Sequence, residues 1–137
     1  MCAKKVSRPE YQSDRHIVYS CKYHIVWYPK CRPVLVNGVE KRLKEILLKT
    51  AAEFEATVIE LEVMPDHVHL LCEVDPQFGV HWLVRYMKER SSRLLQSEFP
   101  WPRSRLSTLW THAYFLTTGG GAPPAAIKQY IEQQKDV

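Results

Sequence analysis

Val63-Met64-Pro65-Asp66-His67-Val68-His69-Leu70-Leu71-Cys72-Glu73-Val74 is the stretch on which the fold reading turns. Pro65-Asp66 interrupts an apolar run, and Val68, Leu70, Cys72 and Val74 then alternate with His67, His69, Leu71 and Glu73. Side chains two apart on a strand share a face. The alternation therefore predicts a turn followed by a strand, with its apolar set on a core and His67 and His69 projecting together from the other face. Two adjacent imidazoles are half of a metal site, a proton-transfer pair, or simply structural side chains. The residues themselves leave these three open.

Upstream, Ile59, Leu61 and Val63 alternate with Glu60 and Glu62, so Thr57–Met64 reads as a second strand joined to the histidine strand in an antiparallel hairpin. An exposed strand face explains the two glutamates. Further upstream, Arg15–Tyr28 has period two, with Ile17, Tyr19, Cys21, Tyr23, Ile25 and Trp27 on one face, and reads as one long strand ended by Pro29. Lys30-Cys31-Arg32-Pro33 is a basic loop and Asn37-Gly38 a turn. Val39, Leu43, Ile46, Leu47, Ala51 and Phe54 fall on one helical stripe, opposite a charged and solvated face.

Downstream, Gln77–Glu98 is helical in pattern and basic, with Lys88, Arg90 and Arg93 as candidate phosphate contacts beside Lys30 and Arg32. Such charges also suit an ordinary solvated helix. Two prolines make 99–105 a loop, and Leu109–Thr117 reads as an aromatic-rich strand. Gly119-Gly120-Gly121 reads as a hinge, and Pro123-Pro124 opens a last helix carrying Tyr130 and Gln134 one turn apart.

The order is β-α-β-β-α-β plus a helix, an α+β, ferredoxin-like (RRM-like) sheet with helices on one face. We read 1–137 as one domain: a tail over 1–14, a core over 15–118, and a hinge with a terminal helix over 119–137. In this topology Lys22 and His24 come near His67 and His69, and the sheet face they share is the open face on which modules of this shape bind nucleic acid.

Composition narrows the class. Hydrophobic residues at 45% and charged residues at 25% are ordinary for a globular chain, and no apolar run is long enough for a membrane span. A formal charge of +4 is compatible with a polyanionic partner. Cys2, Cys21, Cys31 and Cys72 form no CxxC pair, which points to reduced thiols in the cytoplasm and argues against a zinc knuckle or a metal-storage protein.

Pro65-Asp66-His67-Val68-His69-Leu70, followed by a single Tyr130 with Gln134, resembles the single-tyrosine HUH (His-hydrophobic-His) transposases of the TnpA type, enzymes of the smallest bacterial insertion sequences. Tyr23-His24-Ile25-Val26-Trp27, Lys88 with Ser91-Ser92-Arg93, and Trp110 with Tyr114-Phe115 extend the likeness over about Tyr19 to Gln134. The resemblance implies cleavage and rejoining of single-stranded DNA, with Tyr130 as nucleophile forming a 5′-phosphotyrosine. It implies a divalent metal, Mg²⁺ or Mn²⁺, held by His67, His69 and Gln134. It further implies hairpins at the element's ends as partners, a homodimer, no nucleotide cofactor, and work at the nucleoid of a bacterial or archaeal cell. Ala113 stands where the family often has glycine. The resemblance gives His24 no role. A domesticated, repeat-associated relative shares the same chemistry. A non-catalytic ferredoxin-like nucleic-acid binder is the alternative that the basic helix and the sheet face alone would serve.

Overall fold

The computed structural model describes residues 20–30, 35–99 and 108–119, the backbone of Lys4–Lys5, Gln12–Ser13 and Val18–Tyr19, and Ala125, Gln129, Tyr130 and Glu132. Strands β1 (Lys4–Lys5), β2 (Gln12–Ser13) and β3 (Val18–Tyr19) pair antiparallel in a small sheet of their own. Part of the expected tail is thus paired. The expected strand Arg15–Tyr28 is also divided, because β3 belongs to this small sheet whereas β4 (Lys22–Trp27) belongs to the main one. Alternation runs on through Ser20-Cys21, so period alone cannot reveal that the pairing partner changes there.

Helix α1 (Val39–Glu53) starts after a turn in which Asn37 and Gly38 have φ 59° and 95°. That left-handed backbone suits asparagine and glycine. The Gly38 amide donates to Glu40 Oε1 at 2.8 Å. Val39, Leu43, Ile46, Leu47 and Ala51 are buried, as the helical stripe predicts. Strand β5 (Thr57–Met64) and strand β6 (His67–Glu73) form the hairpin. Val58 opposes Cys72 and Glu60 opposes Leu71, so Ile59 is the extra residue of a β-bulge. Ile59 consequently turns outward, 44% exposed, and Val58 takes its place against the core.

Helix α2 (Val80–Glu98) begins three residues later than its pattern predicts. Asp75 holds the preceding turn: its side chain accepts from the Gln77 amide at 2.8 Å, and its carbonyl accepts from Phe78 and Gly79. Strand β7 (Phe115–Thr118) is shorter than the expected Leu109–Thr117. Trp110 makes a single bridge to Pro29, and the chain leaves the sheet at 111–114 before β7 rejoins it beside β4.

The main sheet has the order β5-β6-β4-β7 with every neighbour antiparallel. Both helices pack on one face, where Ile25, Trp27, Val68, Leu70 and Cys72 meet Leu43, Leu47, Leu83 and Met87. The opposite face is not the open surface the sequence suggests. Val26 and Tyr28 are buried there with Phe115 and Tyr130 against them, and His24, His67, His69, Leu71 and Glu73 are buried on it too.

Candidate active site

The site lies on that second face. His67 and His69 are one pleat apart on β6, and each ring has one nitrogen engaged. His67 Nδ1 lies 2.8 Å from Asp66 Oδ1, the residue of the hairpin turn. His69 Nε2 lies 3.1 Å from His24 Nδ1 on the adjacent strand, with the rings 5.4 Å apart and 21° from parallel. Glu62 Oε1 stands 3.7 Å from His69 Nδ1, beyond hydrogen-bonding range. Burial, and then the His24 imidazole, push the His69 pKa below the ordinary imidazole value, and burial lowers that of His24. Both rings are therefore neutral near pH 7, the form in which imidazole binds a metal.

The register explains the grouping. Val26 opposes His69 and His24 opposes Leu71, so His24 is the diagonal neighbour of His69 on one sheet face. Tyr28 reaches the other histidine: its ring centroid is 5.9 Å from that of His67. Tyr130 has helical backbone and packs on the same patch, with its ring 5.6 Å from Tyr28 and 5.0 Å from Phe115. Three of the predicted site residues, His67, His69 and Tyr130, thus share one face. Gln134 lies outside the described residues.

The two histidines suit a metal, because each presents one ring nitrogen while the other is anchored. Among the described residues, no group of three or more His, Cys, Asp or Glu is arranged to hold an ion by itself. An ion there would need a further donor, the place that the Gln134 expectation fills.

The basic candidates divide. Lys30 and Arg93 are exposed, and Arg32 lies outside the described residues. Lys88 donates to the carbonyls of Thr111, His112 and Ala113 at 2.8, 3.2 and 3.4 Å, and burial pulls its pKa down to about 8. Arg90 binds Glu53 at 2.8 Å. Ser91 and Ser92, on the same turn, are spent on Trp110 Nε1 (3.0 Å) and the Leu109 amide (2.7 Å). A cleft of about 930 Å³ between α2 and 108–114, lined among others by Arg85, Lys88, Arg93 and Tyr114, contains none of the site histidines.

The sequence reading missed Asp66, Tyr28 and Phe115. Asp66 registers only as a turn former, although its place directly before His67 signals a partner for that ring. Tyr28 passes unmarked and Phe115 enters only through the Tyr114-Phe115 likeness, because their places at the site arise from pairing between distant strands.

Comparison with known proteins gives the family and the fold. The pattern of the family described as "Transposase IS200 like" matches residues 17–134. The ISDra2 transposase TnpA of Deinococcus radiodurans is 38% identical over 130 residues, 93% of each chain. The IS200 transposase of Salmonella typhimurium is 31% identical over 126 residues, 90% of this chain and 82% of that one. A crystal structure of a candidate transposase from Deinococcus radiodurans superposes with TM-score 0.77 at 36% identity, over 89% of this chain and 96% of the other. A REP-associated tyrosine transposase bound to a REP hairpin shares the fold, with TM-score 0.59 at 12% identity over 88% of this chain and 66% of that one. The chain belongs to the IS200-like family of tyrosine transposases, enzymes that cut and transfer DNA.

Proposed function

We propose that the protein cleaves and rejoins single-stranded DNA at the ends of an insertion sequence, with Tyr130 as nucleophile on a ferredoxin-like scaffold. The reading is carried by Tyr28, whose ring touches both Tyr130 and His67 and so links the nucleophile to the histidine pair. The strand order β5-β6-β4-β7, antiparallel throughout with both helices on one face, supports the scaffold.

In this reading the Tyr130 oxygen attacks the scissile phosphorus. The bond from phosphorus to the 3′ oxygen breaks, leaving a 5′-phosphotyrosine and a free 3′-hydroxyl. Because the new ester retains the energy of the phosphodiester, attack by a second 3′-hydroxyl rejoins DNA without ATP. A phenol with a pKa near 10 is almost wholly protonated at neutral pH, so the step needs help. His67 and His69, with Gln134, would hold a divalent ion, Mg²⁺ or Mn²⁺. When bound, it supplies polarisation of the phosphate and stabilisation of the charge that develops. Asp66 orients the His67 ring for that task.

The DNA partner in this reading is a single strand bearing end hairpins, by analogy with the hairpin held by the REP-associated tyrosine transposase. Lys30, Arg32 and Arg93 are its phosphate contacts, whereas Lys88 and Arg90 already serve the protein. The working unit is a homodimer and its place of work the cytoplasm, at the cell's DNA. No helix among the described residues is long and apolar enough to cross a membrane.

The test uses labelled single-stranded DNA from the ends and flanks of the encoding element, with Mg²⁺ or Mn²⁺, on a denaturing gel. A slow, protease-sensitive band is expected on single strands, absent with duplex, without metal and in Tyr130→Phe. A hairpin shift on a native gel with no covalent band under any condition would replace the proposal with a binding module.

A further inference from the structure

We infer that His24 is a positioning residue of the histidine site, fixing the His69 ring as Asp66 fixes that of His67. The inference rests on the metal reading above and gives a role to His24, which the resemblance leaves idle.

A metal-binding imidazole works best when its second nitrogen is anchored, because that anchor sets both the tautomer and the ring angle. His67 has such an anchor in Asp66 Oδ1, at 2.8 Å from Nδ1, so Nε2 is the nitrogen left for an ion. For His69 the comparable contact is His24 Nδ1, 3.1 Å from Nε2. The remaining nitrogen, Nδ1, has only Glu62 at 3.7 Å, and the Glu62 side chain is 63% exposed. With an ion on Nδ1, His69 carries its proton on Nε2 and donates it to His24 Nδ1, while His24 keeps its own proton on Nε2. No net charge changes in that arrangement.

A purely architectural role does not account for His24. It is 1% exposed, and its Nε2 is buried with no hydrogen-bond partner among the described residues. A buried polar ring with an unmatched nitrogen stabilises a sheet face less well than leucine would. Nor does His24 stand as a further ligand, since among the described residues no three such side chains converge on a common point. It stands behind His69, diagonal to it across the β4–β6 pair.

The test is Mn²⁺ binding by the full chain without DNA, followed by the electron paramagnetic resonance signal of free Mn²⁺. His24→Leu fills the space without a nitrogen and is expected to weaken binding roughly 10- to 100-fold. His24→Asn restores a polar atom near the position of Nδ1 and is expected to recover most of the loss, which lost packing would not explain. Binding by His24→Leu at wild-type strength, or tighter, overturns the inference while leaving the metal reading intact. Absence of Mn²⁺ binding in the wild type overturns both.

The wild-type chain provides a second readout should the variants fail to fold. Long-range ¹H–¹⁵N spectra of the Mg²⁺- or Zn²⁺-loaded protein should show His69 protonated at Nε2. A proton at Nδ1 overturns the inference.

Discussion

Replacing Ser91 with alanine tests whether α2 anchors the segment that leads into β7. The Ser91 hydroxyl accepts from Trp110 Nε1 at 3.0 Å and donates to the Lys88 carbonyl at 3.2 Å. Ser91 and Trp110 are both fully buried, and Trp110 also meets Trp27 edge-on, with ring centroids 6.0 Å apart. In Ser91→Ala the indole N–H loses its partner inside the protein, which costs about 1–3 kcal/mol. The change also substitutes a better helix former, returning roughly 0.5 kcal/mol. The net expectation is a loss of about 0.5–2.5 kcal/mol, read by urea unfolding followed by circular dichroism. Ser97→Ala is the control. Ser97 is exposed and donates only to the Leu94 carbonyl of its own helix, so it repeats the local change without the tertiary one. A Ser91→Ala protein as stable as Ser97→Ala would refute the anchoring role.

Three further outcomes are expected. Ser92→Ala should cost less than Ser91→Ala in the same assay, because the cleft reaches Ser92 and lets water replace the hydroxyl at the Leu109 amide. Stability should rise as pH is raised from about 8 towards the ordinary lysine value. Lys88 loses its proton near 8 in the folded chain, while the unfolded chain still binds one, so the unfolded state holds more protons across that window. Below it the burial penalty on the charged amine is fully present, and a Lys88→Met protein whose pH profile in thermal melts matches the wild type would contradict this. Arg93→Ala should lower hairpin affinity and make its salt dependence shallower, whereas Arg90→Ala should do so less, because Arg90 already pairs with Glu53. Equal slopes for both variants in a salt series would count against the division of the basic residues.

The parts of the fold that were legible in the sequence are those fixed by local chemistry. Pro65-Asp66 and Asn37-Gly38 mark real turns, and the α1 stripe is the buried one. Val68, Leu70, Cys72 and Val74 face the core as their alternation requires. What escaped depends on partners far along the chain. The Ile59 bulge is a property of the β5–β6 pair, and nothing in Val58-Ile59-Glu60 announces it. The shortening of β7 goes with a contact to a distant helix, where the Lys88 ammonium binds the carbonyls of Thr111, His112 and Ala113. The basic run 88–93 illustrates the same limit at the level of function. Its residue types suit phosphate, yet Lys88, Arg90, Ser91 and Ser92 are all occupied within the protein. That His67 and His69 share a strand face was readable from pattern, Tyr130 entered by resemblance, and the nearness of His24 followed from topology. The burial of their sheet face was not readable, since around Val26 and Tyr28 it depends on Phe115 and Tyr130, far along the chain.

The contact between His24 and His69 also bears on how the molecule comes together in time. The β5–β6 hairpin closes over two residues, Pro65 and Asp66, whereas His24 and His69 are separated by 45 positions. Short loops close at little entropic cost and long ones later. The two histidines can therefore stand on their strand, with Asp66 already beside one of them, before the other gains its partner from β4. Tyr130 lies further along the chain than every strand of the sheet. During synthesis the histidine face is accordingly laid down first and Tyr130, the proposed nucleophile, last, so on that proposal a chain still being made carries half a site before the residue that would cut DNA exists.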